Sequence, residues 1–424
     1  MQKQELTSGV TANYIKNERF KTTLISISFF MPLNEEFAPL GALISKLMTA
    51  QSERYKNLRE INAGLDMLYG AVLSSSIEKT GDKQEIRFAI STLSSDYVSE
   101  QNDTLLSSAE FLCELIFSKH INRTEYSNDV IELQKRILAE EIEAQINDKR
   151  QYARIKAENI MCEGEPFGLS ELSSAEKIFG ICNSDIMDAI EKLFKTSFVN
   201  INVIGKTDPT EVFALFSSYF SKIERCYKSL PQEIVKKAGE KKTVVEEMAV
   251  SQGKLVIGFR TDEVGEDIDS AAALVMCDLF GGGPYSKLFK NVREKLSLCY
   301  YCAARPVRKK GLIFVESGVE KANTQKAESE ILNQFEMLKN GDFSDEELEF
   351  SLKALCDRVG SVSDDLLSID RWYAVRCFEE RTTSPDEYLK ELKKVDRDAV
   401  VLSANTFNQD TVYIIDPKEG EENE

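Results

Sequence analysis

The chain has 424 residues, 42% of them hydrophobic and 29% charged, which fits two or three globular domains and excludes a disordered polymer. Its net charge of −18 argues against nucleic acid as a partner, because binding a polyanion needs clustered Lys and Arg. No apolar run approaches the roughly 20 residues of a membrane-spanning helix, and the longest, near Leu24 to Leu33, is broken by Ser26, Ser28 and Pro32.

The opening stretch, Met1 to Asn13, is polar and lacks the apolar segment of a signal peptide. A strand pattern runs Thr23 to Met31, with Ile25, Ile27 and Phe29 on one face. Helical stretches follow at 38–50 and 55–69, then strands at 71–79 and 84–93 joined at Thr80-Gly81-Asp82. A helix is expected over 99–119 and a long one over 124–160, the latter carrying Val130, Leu133, Ile137, Ile142 and Ile146 at helical spacing. Short helices and a strand from Phe198 to Ile204, closed by Gly205, complete the first half. Ser229 to Lys242, with Pro231, Lys236-Lys237 and Lys241-Lys242, reads as a solvated linker.

The second half repeats the order: a strand over Lys254–Arg260, helices at 267–280 and 284–296, strands at 298–304 and 312–319, helices from 322 to 405, and a strand from Thr411 to Ile415. The expected fold is therefore α+β, with two similar domains, each an antiparallel-rich sheet flanked by helices. The boundaries are 1–228, a linker at 229–242, and 243–424. Gly420 to Glu424 reads as a disordered acidic tail.

Nine scattered cysteines fit a reducing cytoplasm better than a disulfide scaffold. Histidine is the most restrictive count, because His120 is the only one. Catalytic zinc sites and Ser-His-Asp or Cys-His centres need imidazoles. His120 ends the run Phe117-Ser118-Lys119-His120, where it reads as a favourable contact with a helix C-terminus. Cys299-x-x-Cys302 falls in a strand, where positions three apart face opposite sides, so the sequence gives it no redox or metal role. Gly281-Gly282-Gly283 lacks the Gly-Lys-Ser/Thr of a phosphate loop and reads as a helix stop. Trp372 and Phe378 read as core, and Asp364-Asp365 as solvated or capping residues.

The sharpest segment runs from Leu279 through Gly281-Gly282-Gly283-Pro284, Ser286-Lys287-Leu288-Phe289 and Arg293-Glu294-Lys295-Leu296 to Tyr300. Its pattern is a helix stop, a turn, a helix opened by Pro284 whose Leu288, Val292 and Leu296 face the core, and a strand. Arg293 follows Phe289 by four and lies near the edge of that face. This segment resembles the C-terminal domain of the M16 zinc peptidases, the family of pitrilysin, insulinase and the mitochondrial processing peptidase, with Gly-rich, Ser-x-Leu-Phe and Arg-Glu-Lys-x-x-Leu-x-Tyr elements. The resemblance implies that Arg293 and Tyr300 reach a zinc site and bind peptide there. A guanidinium and a phenol both donate hydrogen bonds to a peptide carbonyl and its developing oxyanion. Without the resemblance the same residues read as a surface charge and a core aromatic.

Active members carry His-x-x-Glu-His on the first helix of the first domain, two ligands and a base. The matching stretch is Leu43-Ile44-Ser45-Lys46-Leu47, with both imidazoles absent and Lys46 in place of the base. Glu140-Glu141-Ile142 resembles the surroundings of the third ligand, which puts Glu141 at that position; read alone, it is a solvated helix carboxylate. The chain thus resembles a zinc-less, M16B-type bacterial subunit with no cofactor or metal of its own. The resemblance implies a homologous zinc-bearing partner, a chamber completed by the two chains, unfolded peptides as substrate, and Arg293 and Tyr300 acting in trans. It leaves heterodimer and homodimer open and implies no nucleic acid or membrane. The alternative is an inert M16-like scaffold or interaction protein.

Overall fold

A computed structural model describes residues 1–98, 103–231, 233–261, 271–379 and 382–418. The expected tail at 420–424 and the starts of the helices expected at 99 and 267 lie outside the described residues.

Two mixed sheets flanked by helices make up the fold. The first contains β1 (Gln2–Thr7), β2 (Val10–Lys16), β3 (Thr22–Pro32), β4 (Val72–Thr80), β5 (Lys83–Leu93) and β6 (Phe198–Gly205), ordered β1-β2-β6-β3-β5-β4. The second contains β7 (Lys242–Met248), β8 (Gly253–Thr261), β9 (Cys299–Val307), β10 (Leu312–Val319) and β11 (Phe407–Pro417), ordered β7-β11-β8-β10-β9. The path β2-β6-β3-β5-β4 of the first sheet is the path of the second. Each sheet has one parallel pair, β2 with β6 and β7 with β11, and antiparallel pairs elsewhere. The repeat that the element order predicts is present, with three strands that order does not contain: β1 and β2 in the first sheet and β7 in the second.

The chain divides into two compact units. The first comprises Met1–Glu143, Leu169–Gln232 and Ser363–Thr382; the second comprises Ala144–Gly168, Glu233–Val362 and Thr383–Glu424. Each unit thus takes one segment from the other side of the 229–242 join. The helix expected over 124–160 is two helices, Asn128–Ala144 and Lys149–Met161. Asp148 ends the continuity, because its carboxylate accepts from the Arg150 and Gln151 backbone N–H groups and starts a new helix.

In the first unit, Ile25, Ile27 and Phe29 of β3 and Ile86, Phe88 and Ile90 of β5 share one buried core with the flanking helices. The alternation puts Ser26 and Ser28 on the opposite face, with Arg87, Asn200 and Asn202. Helix Leu366–Ala374 packs there on β3 and β6. Its Asp370 is fully buried and accepts hydrogen bonds from Ser26 (2.6 Å), Asn202 (2.7 Å) and the Arg87 Nε (2.9 Å). Trp372 is buried beneath the Arg376 guanidinium, and Phe378 packs with Phe30 and Phe198. Asp365 caps this helix and Asp364 pairs with Arg19.

In the second unit, helix Lys149–Met161 packs on β8 and β11. A buried carboxylate again fixes the segment: Glu165 meets Arg260 of β8 at 2.7 Å and Lys310 at 3.0 Å. Among the described residues no helix is long and apolar enough to cross a membrane. All nine cysteines are free thiols.

Candidate functional site

Helix Phe37–Leu47 carries Leu43-Ile44-Ser45-Lys46-Leu47, the stretch that the resemblance sets against His-x-x-Glu-His. Leu43 and Leu47, one turn apart, point into the first unit's core and are fully buried. Lys46 points the other way, and its Nζ donates to Glu141 Oε1 at 2.7 Å. Lys46 and Glu141 thus neutralise each other. Two hydrocarbon side chains and an ammonium offer a dication nothing to bind, so these residues do not fit zinc. No group of three or more His, Cys, Asp or Glu among the described residues is placed to hold a metal ion.

His120 lies in the last turn of helix Thr104–Asn122, with its ring 4.9 Å from that of Phe194. Burial pushes its pKa below the ordinary value, Lys195 and Arg123 add to this, and Glu191 opposes it. The imidazole is thus held toward its neutral form, and the favourable dipole contact of a cation is outweighed by desolvation.

The second unit holds Arg293 and Tyr300. Residues 284–286 form a turn rather than the first helical residues, with Ser286 N–H donating to the Gly283 carbonyl at 3.0 Å. The glycines before it serve packing: a Cβ at Gly281 would lie 2.4 Å from the backbone nitrogen of Ala304 in β9. The next helix, Leu288–Lys295, is π-helical, so its turn is wider than an α-turn. Leu288 and Val292 are buried as expected, but Leu296 is 46% exposed. Hydrogen bonding from Leu296 N–H to the Asn291 carbonyl, five residues back, carries it off the face that a 3.6-residue period assigns.

Arg293 is exposed, with its guanidinium 4.5 Å from the Phe289 ring centroid. Tyr300, on the edge strand β9, is 60% exposed rather than core. Its hydroxyl donates to Glu320 Oε1 at 3.1 Å, and this carboxylate raises the phenol pKa. Glu320 is the site partner that sequence reading misses, since nothing in its spacing points to Tyr300.

The cysteine pair departs from expectation. In register, Cys299 stands opposite Val319 and Cys302 opposite Ser317, while Tyr301 stands opposite Gly318. Tyr300 is thus the extra residue of a β-bulge, and the bulge cancels one alternation. Both thiols consequently share a face, and each shifts the other's titration, Cys299 downward and Cys302 upward.

Residues 183–355 match the family described as Peptidase M16 inactive domain. Over 412 residues, 97% of each chain, the sequence is 28% identical to "Probable inactive metalloprotease YmfF" of Bacillus subtilis strain 168. The chain is an M16-like protein. M16-like folds recur among solved structures. A conserved protein from Enterococcus faecalis V583 superposes with TM-score 0.89 at 22% identity, covering 99% of both chains. A peptidase M16 inactive domain from Pseudomonas fluorescens gives 0.79 at 14% identity, over 100% of this chain and 99% of that one. A protease from Helicobacter pylori gives 0.80 at 16%, over 98% and 99%. At these identities the likeness is one of fold, and the M16-like frame is what the Lys46–Glu141 pair and the Arg293/Tyr300 segment sit on.

Proposed function

We propose that this M16-like chain is the non-zinc subunit of an M16-type metallopeptidase, with Arg293 and Tyr300 as its contribution to peptide binding and oxyanion stabilisation at a partner's zinc site. The observation that carries the reading is a contrast. The metal position is closed by buried Leu43 and Leu47 and the Lys46–Glu141 pair, whereas the Arg293 and Tyr300 side chains stand exposed. A phenol acts as a donor only while protonated, and Glu320 keeps the Tyr300 proton on by raising its pKa. A peptide carbonyl entering the site takes over the hydrogen bond that Glu320 now accepts. The partner's zinc supplies the activation of water; this chain supplies two hydrogen-bond donors to the substrate oxygen. The partner is a homologous zinc-bearing chain and the substrate an unfolded peptide, in the cytoplasm.

The second reading is an inert M16-like scaffold, favoured by the absent zinc donors and by the description of the Bacillus subtilis relative as probably inactive. Co-expression with a zinc-bearing homologue from the same host separates the two. The subunit reading expects a stable complex whose peptide hydrolysis needs both chains. A zinc-bearing homologue that is equally active without this chain supports the scaffold.

A further inference from the structure

The bulge at Tyr300 makes one chemical unit of two cysteines that regular strand geometry would separate. Cys299 and Cys302 face the same side of β9, opposite residues two apart on β10. Two residues of strand rise put their Cα atoms roughly 6.5–7 Å apart. That is the upper end of the range a disulfide spans, about 4.4–6.8 Å. The unpaired residue Tyr300 gives the strand slack to close the remainder. β9 is the outermost strand of its sheet, and Cys299 is 8% exposed and Cys302 4%.

The two sulfurs are not equivalent. The neighbouring Cys302 thiol is the main influence lowering the Cys299 thiol to about 7 against its burial, and the Arg293 guanidinium pulls the same way. The Ser317 hydroxyl takes no part in this, since its single proton goes to the Tyr301 carbonyl at 3.0 Å. Cys299 in turn, together with burial, pushes Cys302 well above the ordinary thiol range. Cys299 is thus the nucleophile and Cys302 the resolving thiol.

We propose that Cys299 and Cys302 are a redox-active dithiol that exchanges with low-molecular-weight aliphatic disulfides and closes to an intrachain disulfide across the Tyr300 bulge. The Cys299 thiolate attacks one sulfur of RSSR, forming Cys299–S–SR and expelling RS⁻, which takes up a proton. Cys302 then loses its proton and attacks the Cys299 sulfur, expelling the second RS⁻. Two protein S–H bonds become one S–S bond, and RSSR is reduced to two RSH. The inference rests on β9 geometry and not on the peptidase-subunit reading.

The test treats the reduced full chain with bis(2-hydroxyethyl) disulfide, quenches with an alkylating agent and reads the tryptic peptide Leu296–Arg308. That peptide holds both cysteines because no Lys or Arg lies between them, and it extends to Arg308 because Pro306 blocks cleavage after Arg305. The expected result is loss of two hydrogens within this peptide in the wild type. A stable mixed disulfide is expected on Cys299 in Cys302→Ser, and an unmodified Cys302 in Cys299→Ser. Exposed Cys182 and Cys226 report in the same sample that the reagent is active. A wild-type peptide that stays fully reduced while Cys182 and Cys226 react overturns the proposal. So does an adduct on Cys302 in Cys299→Ser that forms as fast as the one on Cys299 in Cys302→Ser.

Discussion

Asp370→Ala tests what fastens helix Leu366–Ala374 to the first unit. Asp370 is fully buried and gathers donors from three strands: Ser26 of β3, Arg87 of β5 and Asn202 of β6. The Arg87 side chain is itself only 7% exposed, so the alanine leaves a guanidinium buried without its counter-charge. Breaking one half of such a pair costs about 3–5 kcal/mol. The orphaned hydroxyl and amide each carry their own penalty of about 1–3 kcal/mol, not additive with the first. Against a domain stability of about 5–15 kcal/mol this is a large fraction. Native-state hydrogen exchange is the suitable assay, because it reads the helix locally where a chain of two units need not unfold in one step. Amide protection in Leu366–Ala374 is expected to fall by about 10²–10³, a factor of 10 being about 1.4 kcal/mol. Removing both partners in Asp370→Leu/Arg87→Leu is expected to recover much of the loss, since an apolar pair carries no unpaired charge. A loss under about 1 kcal/mol in Asp370→Ala, or a double variant as damaged as the single one, would refute the reasoning.

Three further outcomes follow from the same geometry. Gly281→Ala forces a methyl to within 2.4 Å of the Ala304 backbone nitrogen, so the second unit is expected to lose about 1–3 kcal/mol by overpacking; an unchanged urea midpoint would contradict this. His120 has a depressed pKa when folded, so below its unfolded value of about 6.5 the unfolded chain binds more protons and stability falls with falling pH. His120→Phe is therefore expected to lose less stability than wild type between about pH 7.5 and 5.5, and equal losses would show that burial of the imidazole is not the cause. Lys46→Glu replaces the base's charge but leaves Leu43 and Leu47 without donor atoms, so metal analysis is expected to find no stoichiometric zinc in either the variant or the wild type. One zinc per chain in the variant would overturn the account of that position.

The strands that alternate cleanly were legible. β3 and β5 read directly, since Ile25, Ile27 and Phe29 and then Ile86, Phe88 and Ile90 each mark one buried face. Edge strands β1 and β7 were not. β1 is polar and exposed along most of its length, and β7 carries Glu246 and Glu247 just past a lysine-rich stretch, so neither shows an apolar face to a periodicity argument. The exchange of segments was also invisible, because the polar contacts that help fasten each, Asp370 and Arg371 in one and Arg150 and Glu165 in the other, have partners that lie far away in sequence. At the site, the absent zinc motif was readable residue by residue. Its replacement by a Lys46–Glu141 ion pair, the Tyr300–Glu320 bond and the shared face of Cys299 and Cys302 were not. Each depends on a tertiary contact or on a bulge, and strand period alone places the two cysteines on opposite faces.

Arg293→Ala in a complex with a zinc-bearing homologue probes the proposed role most directly. If its guanidinium stabilises the substrate oxyanion, kcat/KM for an unfolded peptide falls by about 10²-fold or more while the complex and its zinc content stay intact. A rate equal to that of the wild-type complex would remove Arg293 from the chemistry and leave the chain as a scaffold.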